Sequence, residues 1–162
     1  MEAPSKLPLP QYEAALGDVL RLAGRPADAA RAYAVVDATE KLLRANGVRT
    51  ELETALFDLD HSRDVVGALA RARDAYRERK SIDGDDVLGW ALYKNGRCGE
   101  ALAHSRRALR LGTRDALKIF HRGMIELCLG RKAAGRAELR RALAINPHFS
   151  LLYAPVAREA LR

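Results

Sequence analysis

The chain has 162 residues, about the size of one domain or one short repeat array, with 48% apolar and 30% charged residues. Its 6 Pro and 12 Gly are too few for a fibrous or disordered polymer. No apolar run reaches the ~18 residues of a membrane span, because Arg, Asp, Glu or Lys interrupts every stretch. The formal charge is +7, from 28 Lys+Arg against 21 Asp+Glu, a bias that suits an anionic partner and equally suits simple solubility.

The start, Met1-Glu2-Ala3-Pro4-Ser5-Lys6, lacks the basic opening and apolar middle of a secretory leader. Cys98 and Cys128 fit no zinc or redox spacing and read as free thiols. Both features favour a reducing, cytoplasmic setting.

Taken in chain order, the elements are all helical. Leu16, Val19, Leu20 and Ala23 recur at helical spacing until Gly24-Arg25-Pro26 breaks the pattern. Pro26 suits the first turn of a second helix, which runs long, to Asn46-Gly47. Thr50-Glu51-Leu52-Glu53 is a capping box for a third helix. Further along, Thr113 is read as an N-cap, with Asp115 just after it. β-branched residues are few and nowhere alternate with polar ones, so no strand is expected.

The chain also repeats itself. Leu88-Gly89, Gly96, Ala101 and Ala108 are echoed by Gly123, Gly130, Gly135 and Ala142, with a spacing of 34. Ala68, Ala72 and Ala75 lie 33 residues before Ala101, Ser105 and Ala108, and Val36 lies 39 before Ala75. Each copy reads as two helices joined by a short turn. The small residues have a packing reason: Gly17, Gly89 and Gly123 would let the first helix of a pair approach Ala29, Ala101 and Gly135 of the second. The expected boundaries are a tail at 1–9, repeats at 10–47, 49–81, 82–113 and 114–147, and a capping segment at 148–162. In that last segment Phe149, Leu152, Val156 and Leu161 are expected to cover the end of the stack, with Pro155 opening a short helix.

With these residues the chain resembles the tetratricopeptide repeat (TPR) family, whose pattern is W-x2-L-G-x2-Y, then A-x3-F, then a closing Pro. Leu88-Gly89-x2-Leu92 with Ala101-x3-Ser105-x2-Ala108, Leu16-Gly17-x2-Leu20 with Ala29-x3-Tyr33, and Leu143-Ala144-Ile145-Asn146-Pro147 carry the likeness. Ala55-Leu56 and Glu126 depart from it. The resemblance covers about residues 10–147 and implies an all-α superhelix of about four helix pairs plus a capping helix. It also implies a non-enzymatic protein–protein interaction scaffold without a cofactor. The near-immediate start of the first repeat reads as the C-terminal part of a longer bacterial protein of this kind.

Motifs for chemistry do not accumulate. Gly130 and Gly135 have phosphate-loop spacing, but Arg136-Ala137 follows where Lys-Ser/Thr is required. His61, His104, His121 and His148 share no ligand spacing. No metal site and no catalytic set is expected.

In the resembled family the first helices of the pairs line a concave groove. Helical spacing selects the equivalent face here: Ala14, Asp18, Arg21 and Leu22, then Glu53, Phe57, Asp60 and His61. Asp86, Trp90, Tyr93 and Lys94 follow, then Phe120, Met124, Leu127 and Cys128. This face is acidic and aromatic at its N-terminal side and apolar beyond. Trp90 and Tyr93 are expected in the groove, while Phe120 and Met124 divide evenly between groove and core. The expected partner is a protein segment that is apolar with some Lys or Arg. The arginine clusters (Arg71, Arg73, Arg77, Arg79 and Lys80; Arg106, Arg107 and Arg110; Arg131, Lys132, Arg136, Arg140 and Arg141) fall on second helices and turns. They suggest two alternatives, a convex face docking on nucleic acid or anionic membrane and a structural, self-associating repeat module.

Overall fold

The structure, a computed structural model, describes residues 9–162; all but the last residue of the expected N-terminal tail lies outside the described residues. Among the described residues there are helices and no strand. The helices are α1 (Pro10–Leu22), α2 (Pro26–Ala45), α3 (Glu51–Asp60), α4 (Val65–Glu78), α5 (Ile82–Lys94), α6 (Cys98–Ala108), α7 (Ala116–Cys128), α8 (Lys132–Ile145) and α9 (Tyr153–Glu159). None of them is long and apolar enough to cross a membrane.

Local chemistry sets the helix ends. Pro10 and Pro26 open α1 and α2, where a missing N–H costs nothing. Ser81 caps α5 by accepting from the Gly84 N–H at 2.9 Å, and Asp64 caps α4 by accepting from the Gly67 N–H at 3.0 Å. The α7 cap is Asp115, not Thr113: its carboxylate accepts from the Leu117 and Lys118 N–H groups at 3.0 and 3.1 Å. A carboxylate placed there also meets the positive end of the helix dipole, which a hydroxyl two residues earlier cannot do.

The chain divides into two compact units, Met1–Thr50 and Glu51–Arg162. In the first, α1 packs on α2 through Gly17, where a Cβ would collide with the Tyr33 ring. The Tyr33 hydroxyl donates to Asp18 at 2.7 Å. Burial and that bond push the Tyr33 phenol up to about 12. Ala29, Ala32 and Val36 are buried, whereas Tyr12, Leu16, Val19 and Leu22 on α1 are exposed.

In the second unit the pairs α3/α4, α5/α6 and α7/α8 pack in sequence and α9 follows on α8. Helix α5 is central, with every residue from Gly84 to Leu92 buried. The α7/α8 approach is the closest: a Cβ on Gly123 would lie 3.1 Å from the Gly135 carbonyl oxygen, and one on Gly135 would lie 2.9 Å from that of Gly123. Only glycine on both sides permits that spacing. Leu59, Ile119, Phe120, Ile125 and Leu139 are fully buried, and side chains of this kind each stabilise by about 1.5–3 kcal/mol.

The cysteines are not free. Cys98 and Cys128 form a disulfide with a Cα–Cα distance of 6.2 Å. Cys98 begins α6 and Cys128 ends α7. In stacked helical hairpins these two ends lie on the same edge, which a linear spacing of 30 residues conceals. With the thiols bonded, their support for a reducing compartment is withdrawn.

The capping segment also differs in detail. Phe149, Leu152 and Leu161 pack against the core as expected, but Val156 is 40% exposed. Tyr153, Ala154 and Ala157 are the residues that α9 turns inward.

Candidate functional site: the inner wall of the second unit

Helices α3, α5 and α7 lie side by side, and their shared face is the inner wall of the second unit. Its two ends are chemically different.

Towards the C-terminal ends of α3 and α5, the wall is filled. Trp90 is 2% exposed and stacks on Tyr93 (4.7 Å between centroids) and His121 (4.2 Å). Its indole N–H donates to Asp60 at 3.1 Å, and the Tyr153 hydroxyl donates to the same oxygen at 2.9 Å. Lys94 Nζ sits 5.6 Å above the indole. Burial pushes the Asp60 carboxyl above its ordinary value; His121 nearby and the two donated hydrogen bonds pull the other way without cancelling it. Burial lowers Lys94, partly offset by Asp60.

At the other end, the N-terminal turns of α3 and α5 and the start of α7 leave a cavity of about 360 Å³. Leu52, Leu56, Val87 and Leu117 form its apolar lining, with Glu53, Asp83 and Asp86 as carboxylates and Arg79 and Lys118 as cations. Lys118 is tied to Asp115 at 2.7 Å and Asp83 at 3.1 Å. His121 Nδ1 donates to Asp86, 3.1 Å from both carboxylate oxygens. The other ring nitrogen, Nε2, is buried without a hydrogen-bond partner.

The residues expected in the groove therefore separate. Glu53 and Asp86 line the cavity, Glu53 exposed and Asp86 buried against His121. Asp60, Trp90, Tyr93, Lys94 and Phe120 gather at the filled end, and Trp90 is core: Tyr153 and His121 cover the indole that was expected to face a partner. Phe120 is fully buried and Met124 packs half-buried against the same core. Phe57 is 8% exposed, with His61 at 4.3 Å and the Arg63 guanidinium over its ring. His61 Nδ1 donates to the Phe57 carbonyl at 2.7 Å. Asp18 and Arg21 belong to the first unit.

Tyr153, His121 and Asp83 were missed. Tyr153 follows the last repeat, so no periodic pattern selects it. His121 sits one residue from a selected position, and only its pairing with Asp86 gives it away. Among the described residues no group of three or more His, Cys, Asp or Glu converges as a metal site would need.

Several members of the cationic clusters are engaged within the chain. Asp85, 3% exposed, receives Arg107 at 2.9 Å and His104 at 2.9 Å, with Arg110 at 3.7 Å. Asp58 receives Arg71 at 2.6 Å, and Glu126 receives Arg122 at 2.8 Å and Arg131 at 3.2 Å. Glu126 thus replaces the expected aromatic with a paired, buried carboxylate.

Stacked helical hairpins with close Gly contacts define a TPR-like, all-α repeat fold. The solved structures agree: the chain is similar to a thermophilic TPR protein of Thermus thermophilus, at 23% identity and a TM-score of 0.63, over 94% of this chain and 79% of that one. No protein-family model matches the sequence, and no curated protein matches it.

Proposed function

We propose that the protein is a non-enzymatic interaction module that receives an apolar segment carrying Lys or Arg at the open end of its inner wall. The observation that carries this reading is the cavity across α3, α5 and α7, with an aliphatic floor of Leu52, Leu56, Val87 and Leu117 and carboxylates around it. A large apolar side chain has room there, because about 360 Å³ exceeds any single side chain. Asp83 and Asp86 already hold cations or a histidine, so Glu53 at the rim is the carboxylate that selects a basic residue.

A docking role for the clustered arginines is less supported, since Arg71, Arg107 and Arg131 neutralise carboxylates of their own chain. The Cys98–Cys128 bond likewise removes the thiol argument for a cytoplasmic setting, because such bonds persist where the surroundings are oxidising.

The test is a peptide array scored against the wild-type chain and Glu53→Lys. Apolar-basic peptides should bind the wild type and lose about five- to tenfold in affinity with Glu53→Lys, while circular dichroism stays unchanged. A preference for acidic peptides, or an unaltered profile in the variant, overturns the reading.

A further inference from the structure

The filled end of the inner wall has a feature that stacked repeats do not require. In such arrays each pair contacts only its neighbours, yet Asp60 on α3 and Tyr153 on α9 are 93 residues apart and share a 2.9 Å hydrogen bond. Two complete helix pairs lie between them in sequence. The Tyr153 ring is bounded by Phe120 at 5.0 Å, nearly parallel, and by Trp90 at 5.4 Å, edge on. His121 closes the side at 6.3 Å, also edge on.

We propose that Asp60, Trp90, Phe120 and His121 form a recognition slot for a phenol, which the chain fills with its own Tyr153, closing that end of the inner wall and coupling α9 to α3. The slot has the two components that phenol recognition needs. Flat aromatic walls take the ring in stacked and edge-on geometries. A half-buried carboxylate at the end takes the hydroxyl, and the indole N–H already fixes the oxygen that receives it. A phenylalanine would fill the same walls but leave Asp60 with one donor fewer, and a buried acceptor that loses its partner is costly. The consequence for recognition is a division of the wall: an outside segment has only the cavity near Glu53 and Leu56, while Trp90 and Phe120 are reserved for the chain's own C-terminal helix. This inference does not depend on which partner the cavity takes.

The test uses the full chain with Tyr153→Ala, which opens a hole the size of phenol, and two probes of nearly equal shape, phenol and toluene. Holes left by truncating a core side chain accept small aromatics of matching shape. Thermal denaturation should show phenol raising the variant's midpoint and binding about tenfold more tightly than toluene, with no such effect on the wild type. Adding Asp60→Ala should abolish the preference for phenol. Equal binding of the two probes, or binding of neither, overturns the proposal. Should Tyr153→Ala fail to fold, hydrogen exchange on Tyr153→Phe decides. Exchange at the C-terminal end of α3 should accelerate at least fivefold, and acceleration confined to α7–α9 overturns the proposal.

Discussion

Asp60 shows how one side chain can be both well placed and ill at ease. Its carboxylate receives two hydrogen bonds, but burial still raises its proton affinity, with His121, His61, Lys94 and Tyr153 as the titratable groups around it. The native state therefore holds this proton to a higher pH than the unfolded chain does. Its contribution to stability is present in full below the ordinary carboxylate value of 3.8 and is lost as pH rises through the raised one. Asp60→Asn keeps an acceptor for the Tyr153 hydroxyl without the charge. Urea denaturation at several pH values from 4 to 8 should find the variant at least as stable as the wild type at pH 7, with a shallower decline towards it. A variant less stable at every pH would show that the ionised carboxylate is favoured. Trp90 carries the complementary lesson: it is buried under Tyr153 and His121, so a Trp90→Ala change reads folding, at about 3–5 kcal/mol for such a truncation, and not partner affinity.

At the scale of elements, adjacent hairpins are joined covalently as well as packed. The Cys98–Cys128 bond ties the start of α6 to the end of α7. A cross-link closing a loop of this length stabilises by about 2–4 kcal/mol. Guanidinium denaturation with and without dithiothreitol should reproduce that difference, and Cys98→Ser should behave like the reduced wild type and be indifferent to reductant. No effect of reductant on the wild type would mean that the thiols are unpaired. The helices themselves were legible because glycine leaves a trace: Gly89 and Gly123 recur at 34 residues, and close helix approach explains why they must. The site was only partly legible. Periodicity tells which residues take equivalent positions on successive helices, as with Asp60 on α3, Trp90 on α5 and Phe120 on α7, but not how tightly successive faces close on one another. Once they close, groove positions become core. Tyr153 and the disulfide belong to contacts between chain-distant elements, on which a repeat pattern is silent.

For the whole molecule, the two units differ in how much they bury. In the first, α1 buries only Gly17, and the apolar core of α2 is limited to Ala29, Ala32 and Val36. In the second, a continuous core runs from Ala55 to Ala157. Opening free energies should follow this difference. Native-state hydrogen exchange should therefore find α1 and α2 exchanging at least tenfold faster than α5 and α7. Equal protection across the chain would mean that the units unfold together.

Tyr153 also bears on how the protein is handled. Any affinity handle or fluorophore attached after Arg162 hangs from the seven-residue helix that this tyrosine anchors, so its drag and bulk act directly on that anchor. Immobilisation chemistry at the opposite terminus leaves the anchor unloaded, and surface-based assays done both ways would expose the artefact as a discrepancy between orientations.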